Sequence, residues 1–222
     1  MLNMKNLSIV LLGLVLLVSI PVGAATPFSG KIIALDAGHG STETDYGASG
    51  YCGDIPVRES DVNLKTAETL KTKIESSEPN ATVVILDRVP SRKDRVSQAE
   101  SIGANVLISI HHNGSLDTSV DYTQTFITQN SDKKLANPVH KALVAILKLP
   151  DNGIKHDGYG MTVYGSVPSI LTEAYFITNT NEACDFLSSE QSRVQQEVEG
   201  FYNGLNTYFS DTTGGNGKGR NK

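Results

Sequence analysis

The sequence predicts an α/β fold: a single domain with a mostly parallel twisted sheet and helices on both faces. Two observations carry this. The runs from Lys31 to Asp36 and from Thr82 to Leu86 are short and rich in Ile, Val and Leu, the composition of strands covered on both sides rather than half exposed. Between them Val62, Ala67, Leu70 and Ile74 recur at roughly helical spacing, so strand, helix and strand follow in order. Repetition of that unit favours parallel pairing through right-handed crossovers.

The first helix is expected from Glu59 to about Ser76. A second, from Ser91 to Ile102, opens with a Ser-x-x-Asp pattern at Ser91 and Asp94 suited to capping. It leads into the apolar strand Asn105 to Asn113. Thr123 to Thr128 alternates as a further strand, and Lys133 to Leu147 places Leu135, Val139, Leu143 and Ile146 on one helical face. Pro150 to Gly153 breaks the chain, a loop passes His156, and Ser169 to Glu173 returns as a strand. A last helix runs from about Glu190 to Phe209, with Ser188 and Gln191 at its start.

At 222 residues the chain is sized for one sizeable domain. Lys5, the apolar stretch Leu7 to Ile20 and the small residues up to Ala25 have the order of a secretory signal, and the stretch is short of the roughly 20 residues that span a bilayer. Residues 1–24 are therefore expected to be a removed signal peptide, 30–210 the folded domain, and the Gly-rich 211–222 a disordered tail. Residues 1–24 carry one base, Lys5, and no acid, so the formal charge of −5 becomes −6 without them. An acidic chain with no long basic run argues against nucleic-acid binding, and no membrane partner is expected after signal removal. The two cysteines, Cys52 and Cys184, permit one disulfide in an exported protein, and their spacing leaves the bond open.

The chemistry concentrates at strand ends, where open α/β sheets place their functional crevice. His39 follows the first strand inside Asp36-Ala-Gly-His-Gly40, Glu59 opens the first helix, and His111 ends the strand Asn105 to Asn113. Two imidazoles and one carboxylate can hold Zn²⁺ and leave a position for water, as catalytic zinc sites do. His112 should point to the opposite strand face. His140 is expected on a helix surface, and His156 in a loop near the site. Arg95 is a candidate partner for a carboxylate behind the site, and Asp36 for either a loop-orienting or a plain turn role.

Four segments stand together: Asp36-Ala-Gly-His-Gly40, Glu59-Ser-Asp-Val-Asn-Leu64, Ser109-Ile-His-His-Asn113 and Leu171-Thr-Glu-Ala-Tyr-Phe-Ile-Thr-Asn179. In order and spacing they resemble the zinc-dependent N-acetylmuramoyl-L-alanine amidases of the amidase-3 family, from Lys31 to about Phe209, including Arg95 and Gly153-Ile-Lys155. The resemblance implies that His39, Glu59 and His111 bind zinc and that Glu173 is the catalytic acid/base. It also implies peptidoglycan as substrate and a secreted or periplasmic location. The chain departs from the family at Tyr175, where Glu-x-Gly-Phe becomes Glu173-Ala-Tyr-Phe176, and in the long loop Ser41 to Pro56. A non-catalytic wall-binding or regulatory module and a zinc peptidase or deacetylase acting on another amide are the alternatives. Some family members carry an extra helix that plugs the zinc site. The segment from Asn113 to Glu173 offers no spare element for one, so no obligatory activator is expected.

Overall fold

The computed structural model describes residues 25–157 and 159–214. The expected signal peptide lies outside them. The elements are β1 (Ile32–Ala37), β2 (Ser49–Cys52), β3 (Ile55–Arg58), α1 (Glu59–Ser77), β4 (Thr82–Ile85), α2 (Arg92–Ser101), β5 (Val106–Asn113), β6 (Thr123–Ile127), α3 (Lys133–Leu147), β7 (Asp151–His156), α4 (Gly160–Val163), β8 (Ser169–Phe176), α5 (Thr180–Leu187) and α6 (Ser192–Gly214).

Six strands form one sheet in the order β4-β1-β5-β8-β6-β7. β4, β1, β5 and β8 run parallel, β6 runs antiparallel to β8, and β7 is parallel to β6. The alternation of strand side chains makes two cores. Ile33, Leu35 and Ala37 of β1 and Val106, Ile108 and Ile110 of β5 join a large core with Leu70, Leu143 and Phe201 from α1, α3 and α6. Ala34 and Leu107 point the other way, into a smaller core with Val96 and Ala99 of α2 and Met161 of α4. Helices therefore cover both faces, and β1 and β5 have apolar residues at consecutive positions because each side has a core to fill.

Several elements differ from expectation. The loop Ser41 to Pro56 contains most of an antiparallel hairpin, β2 with β3, tied to α5 by a Cys52–Cys184 disulfide with Cα atoms 4.8 Å apart. The region expected as a break and loop through His156 is β7, an edge strand with several polar, partly exposed residues. The last helix runs on to Gly214, so the expected disordered tail begins as helix; Thr212 Oγ1 bonds back to Phe209 O at 3.0 Å. Residues 215–222 lie outside the described residues. His140 is no surface residue: it is 6% exposed. Its Nδ1 lies 2.9 Å from Thr125 Oγ1 and its Nε2 lies 2.8 Å from Asp151 Oδ1, two partners supplied by separate strands.

Candidate metal centre

β1 ends at Ala37, and its continuation is held at the sheet by Gly38 N–H donating to Ile110 O at 3.0 Å. His39 then adopts a left-handed φ of 61°, a conformation non-glycine residues rarely take. The turn brings its ring to 5.0 Å, centroid to centroid, from that of His111 on β5. Gly38 is required by this approach, because a Cβ there would lie 2.2 Å from His111 Nε2. At Gly47 a Cβ would lie 2.2 Å from Glu59 Oε2 and 2.6 Å from His39 Cδ2, so the long loop also presses backbone against the cluster.

Glu59, 4% exposed at the first turn of α1, sits between the two imidazoles. Its Oε1 is 2.9 Å from His111 Nδ1 and its Oε2 is 3.3 Å from His39 Nε2. Ala48 N–H donates to Oε2 at 2.8 Å, and Asn63 Nδ2 and His112 N–H donate to Oε1 at 3.3 Å. Burial alone would raise this carboxyl; the hydrogen bond and charge of His111, the charge of His39 and the Ala48 N–H hold it down at about 2. Burial opposes protonation of His111, yet the carboxylates of Glu59 and Glu173 beside it raise its pKa.

His39, Glu59 and His111 offer ligand atoms that all lie within 4.8 Å of one another, and among the described residues they form the one cluster of this kind. One small cation with bonds of about 2 Å can reach all three. The donor set also fits by its supports. His39 Nδ1 is 2.9 Å from Asp45 Oδ1, which leaves Nε2 facing the cluster, the outer-shell arrangement that fixes a ligand imidazole. Asp45 is itself oriented by the Ser41 hydroxyl and N–H, at 2.5 and 3.1 Å. The Ser41 hydroxyl is the largest influence holding the Asp45 carboxyl down at about 2.

Glu173, opposite His111 in the β5–β8 register, stands outside the cluster of three but lines the same open pocket of about 680 Å³. Its Oε2 is enclosed with no hydrogen-bond partner among the described residues. Burial, and to a lesser degree the charge of Glu59, push its carboxyl up to about 7 against the opposing influence of His111 and His112. Arg95 takes the place expected for it: Nη1 donates to Asp36 Oδ1 at 2.8 Å and Nη2 to His39 O at 3.1 Å. Ser109 Oγ donates to Asp36 Oδ2 at 2.6 Å. Asp36 thus acts through Arg95 on the His39 turn rather than as a turn residue.

His112 points away from the cluster, as strand alternation requires, into a fully enclosed polar chain. Asn63 Nδ2 donates to Gly38 O at 2.9 Å, so its Oδ1 is left to accept from His112 Nδ1 at 2.7 Å. His112 Nε2 lies 3.0 Å from Glu197 Oε2, with both side chains fully buried. Tyr175, at the family's glycine position, fills the space beside it, ring centroids 4.3 Å apart. His156 ends β7 exposed and is not a lining residue of the pocket. Asp45 and Glu197 have no strand-end or motif signal in the sequence, and Asn63, though inside the segment Glu59 to Leu64, gives no sign of its role there; only the fold brings Asp45 to His39, Asn63 to Glu59 and Glu197 to His112.

Residues 33–207 match the family model described as N-acetylmuramoyl-L-alanine amidase. The chain is 32% identical over 208 residues to the uncharacterized protein YqiI of Bacillus subtilis strain 168, covering 91% of this chain and 96% of that one. It is 34% identical over 165 residues to the N-acetylmuramoyl-L-alanine amidase LytC of the same strain, covering 71% of this chain and 32% of LytC, so it spans about a third of that relative. Among solved structures, the catalytic domain of the amidase CwlV from Bacillus (Paenibacillus) polymyxa var. colistinus superposes with a TM-score of 0.71 at 27% identity, covering 81% of this chain and 98% of that one. An N-acetylmuramoyl-L-alanine amidase from Clostridium difficile 630 gives a TM-score of 0.72 at 26% identity, covering 86% and 100%.

Proposed function

The chain belongs to the N-acetylmuramoyl-L-alanine amidase family, and from that premise we propose that it is an exported, zinc-dependent hydrolase of peptidoglycan. The bond cut is the amide between the lactyl group of N-acetylmuramic acid and L-alanine of the stem peptide. The observation that carries the zinc assignment is the convergence of His39, Glu59 and His111, two imidazoles and a carboxylate, with the outward nitrogen of His39 already held by Asp45.

When bound there, zinc supplies Lewis-acid polarisation of the carbonyl and lowers the pKa of water towards about 7. The chain's own residues do the rest. Glu173 takes the proton of the attacking water and returns it to the leaving amine, a role suited to a carboxyl that gains and loses its proton near neutrality. Asp45 and Asp36 act at one remove, the first through the His39 ring and the second through Arg95 and the His39 carbonyl. The Asn63 amide fixes both the Gly38 carbonyl and Glu59, so the His39 turn and the carboxylate keep a common frame.

Export rests on the signal-like residues 1–24 and on the wall substrate of the family. Among the described residues no helix is long and apolar enough to cross a membrane. The pocket reaches His39, His111 and Glu173 directly, which supports activity without an obligatory activator. The experiment is digestion of defined muropeptides by the mature protein, with chelator and after zinc is restored. A new L-alanine amine and a free lactyl carboxyl, lost with chelator and regained with zinc, are expected. A cut elsewhere in the stem or at an acetyl group would assign the chain to a peptidase or deacetylase, and no cut would assign it to a binding module.

A further inference from the structure

The charged residues lining the pocket divide into those already engaged and those left over. Asp36 is taken by Arg95 and Ser109, Asp45 by His39 and Ser41, and Arg95 by Asp36 and the backbone of the His39 turn. Glu173 is the acid/base. Arg92 and Lys93, on the first turn of α2, line the same pocket and are exposed. Among the described residues neither side chain makes an ion pair or hydrogen bond. Two uncommitted cations on one wall of a catalytic pocket stand out in a chain whose formal charge is −5.

The same wall carries an apolar surface that the core does not absorb. Tyr159, Val163 and Tyr164 line the pocket and are 45%, 40% and 45% exposed. The segment is nonetheless held from beneath. Met161 is buried in the smaller core, Thr162 Oγ1 is 2.7 Å from Thr128 Oγ1, and Tyr159 meets Phe126 edge to face at 4.6 Å. α2 and α4 are also in direct contact: the Arg92 stem packs on Gly160, where a Cβ would come within 2.4 Å of Arg92 Cδ. The cations and the tyrosines are therefore presented as one surface, on elements that also hold the smaller core together.

We propose that this wall, Arg92 and Lys93 with Tyr159 and Tyr164, is a subsite that holds a free carboxylate of the stem peptide while the scissile amide lies at Glu173. It rests on the amidase reading above and adds to it which part of the substrate is recognised and by which residues. A stem peptide suits the wall by charge and by shape. It carries carboxylates for the two cations and short aliphatic side chains for the two rings. A carboxylate on this wall also gives a reason for two cations to stand there with no side-chain partner of their own.

The test compares a muropeptide bearing free stem carboxylates with the same muropeptide amidated at those positions, for the parent protein and for Arg92→Gln/Lys93→Gln. The parent should favour the free carboxylates by about five- to tenfold in kcat/KM, the scale of exposed charge contacts, mostly through KM. In the double variant the ratio should fall to near one. A parent that ignores amidation, or a variant that keeps the preference, overturns the proposal. A second arm does not need turnover. The chain has eight tyrosines and no tryptophan, so tyrosine fluorescence reports titration of free stem peptide into the zinc-loaded protein. Binding weakened severalfold in the double variant supports the subsite even if neither muropeptide is cut, an outcome that would sink the amidase reading alone. Equal binding by both proteins, no binding by either, or inorganic phosphate binding as tightly as the peptide overturns the subsite.

Discussion

His111 and His112 are adjacent on one strand and face opposite ways. His111, at 16% side-chain exposure, turns to the pocket, where its partner Glu59 is shared with His39. His112, fully enclosed, turns to the core, where its partners are Asn63 and Glu197. The same residue type thus joins the candidate metal cluster on one side and serves as internal strut on the other. What separates them is solvent access and which groups wait across the interface. A strand end has two faces, and only one of them opens to substrate.

The comparison is sharpened first by His111→Ala, which should remove metal and turnover together. In chelated protein its melting temperature should stay close to the parent's, because Glu59 keeps Ala48, His112 and Asn63 as donors. Metal analysis beside a thermal scan checks both halves, and full zinc with full activity would reverse the assignment of the two faces. His112→Ala should do the opposite. It takes from Glu197, 0% exposed, the His112 Nε2 at 3.0 Å and leaves only the longer Thr66 Oγ1 bond at 3.3 Å, a loss inside the core that costs about 1–3 kcal/mol of folding stability. Urea unfolding of chelated protein measures this, and a loss below about 1 kcal/mol would show that the pair is not an internal strut.

The sequence foretold one of these faces better than the other. His39, Glu59 and His111 stand at element ends, and the ends of β1, α1 and β5 are readable because their interiors are apolar runs or helical repeats. Strand alternation was enough to turn His112 away. It could not name Glu197, which arrives from α6 across 85 residues of chain. His140 was misplaced for the same reason, since its partners Thr125 and Asp151 come from separate strands. β7 was missed because an edge strand containing Asp151, Gly153 and His156 has no buried run to show. The β2–β3 hairpin has two strands of four residues each, too short for periodicity, and Asp45 became visible only once the loop folded back on His39.

A smaller effect distinguishes Glu173 from the three residues proposed as ligands. Its carboxyl is pushed up to about 7 from the ordinary 4.5, so in chelated protein the folded form holds this proton at pH values where the unfolded chain has lost it. That contribution is present below about 4.5 and is lost as pH rises through about 7. Glu173→Gln removes the penalty. The variant should melt higher than the parent above pH 7, by a few degrees, and at the same temperature near pH 4. A constant difference across that range would show that the carboxyl is not the titrating group.

The proposed division between residues that hold metal and the one that moves the proton is tested most directly by measuring zinc content and muropeptide turnover on the same preparation of Glu173→Gln. About one zinc per chain, as in the parent, with turnover lower by about 10²–10⁴-fold, is the expected result. Turnover near the parent's, or zinc lost in step with activity, would contradict it.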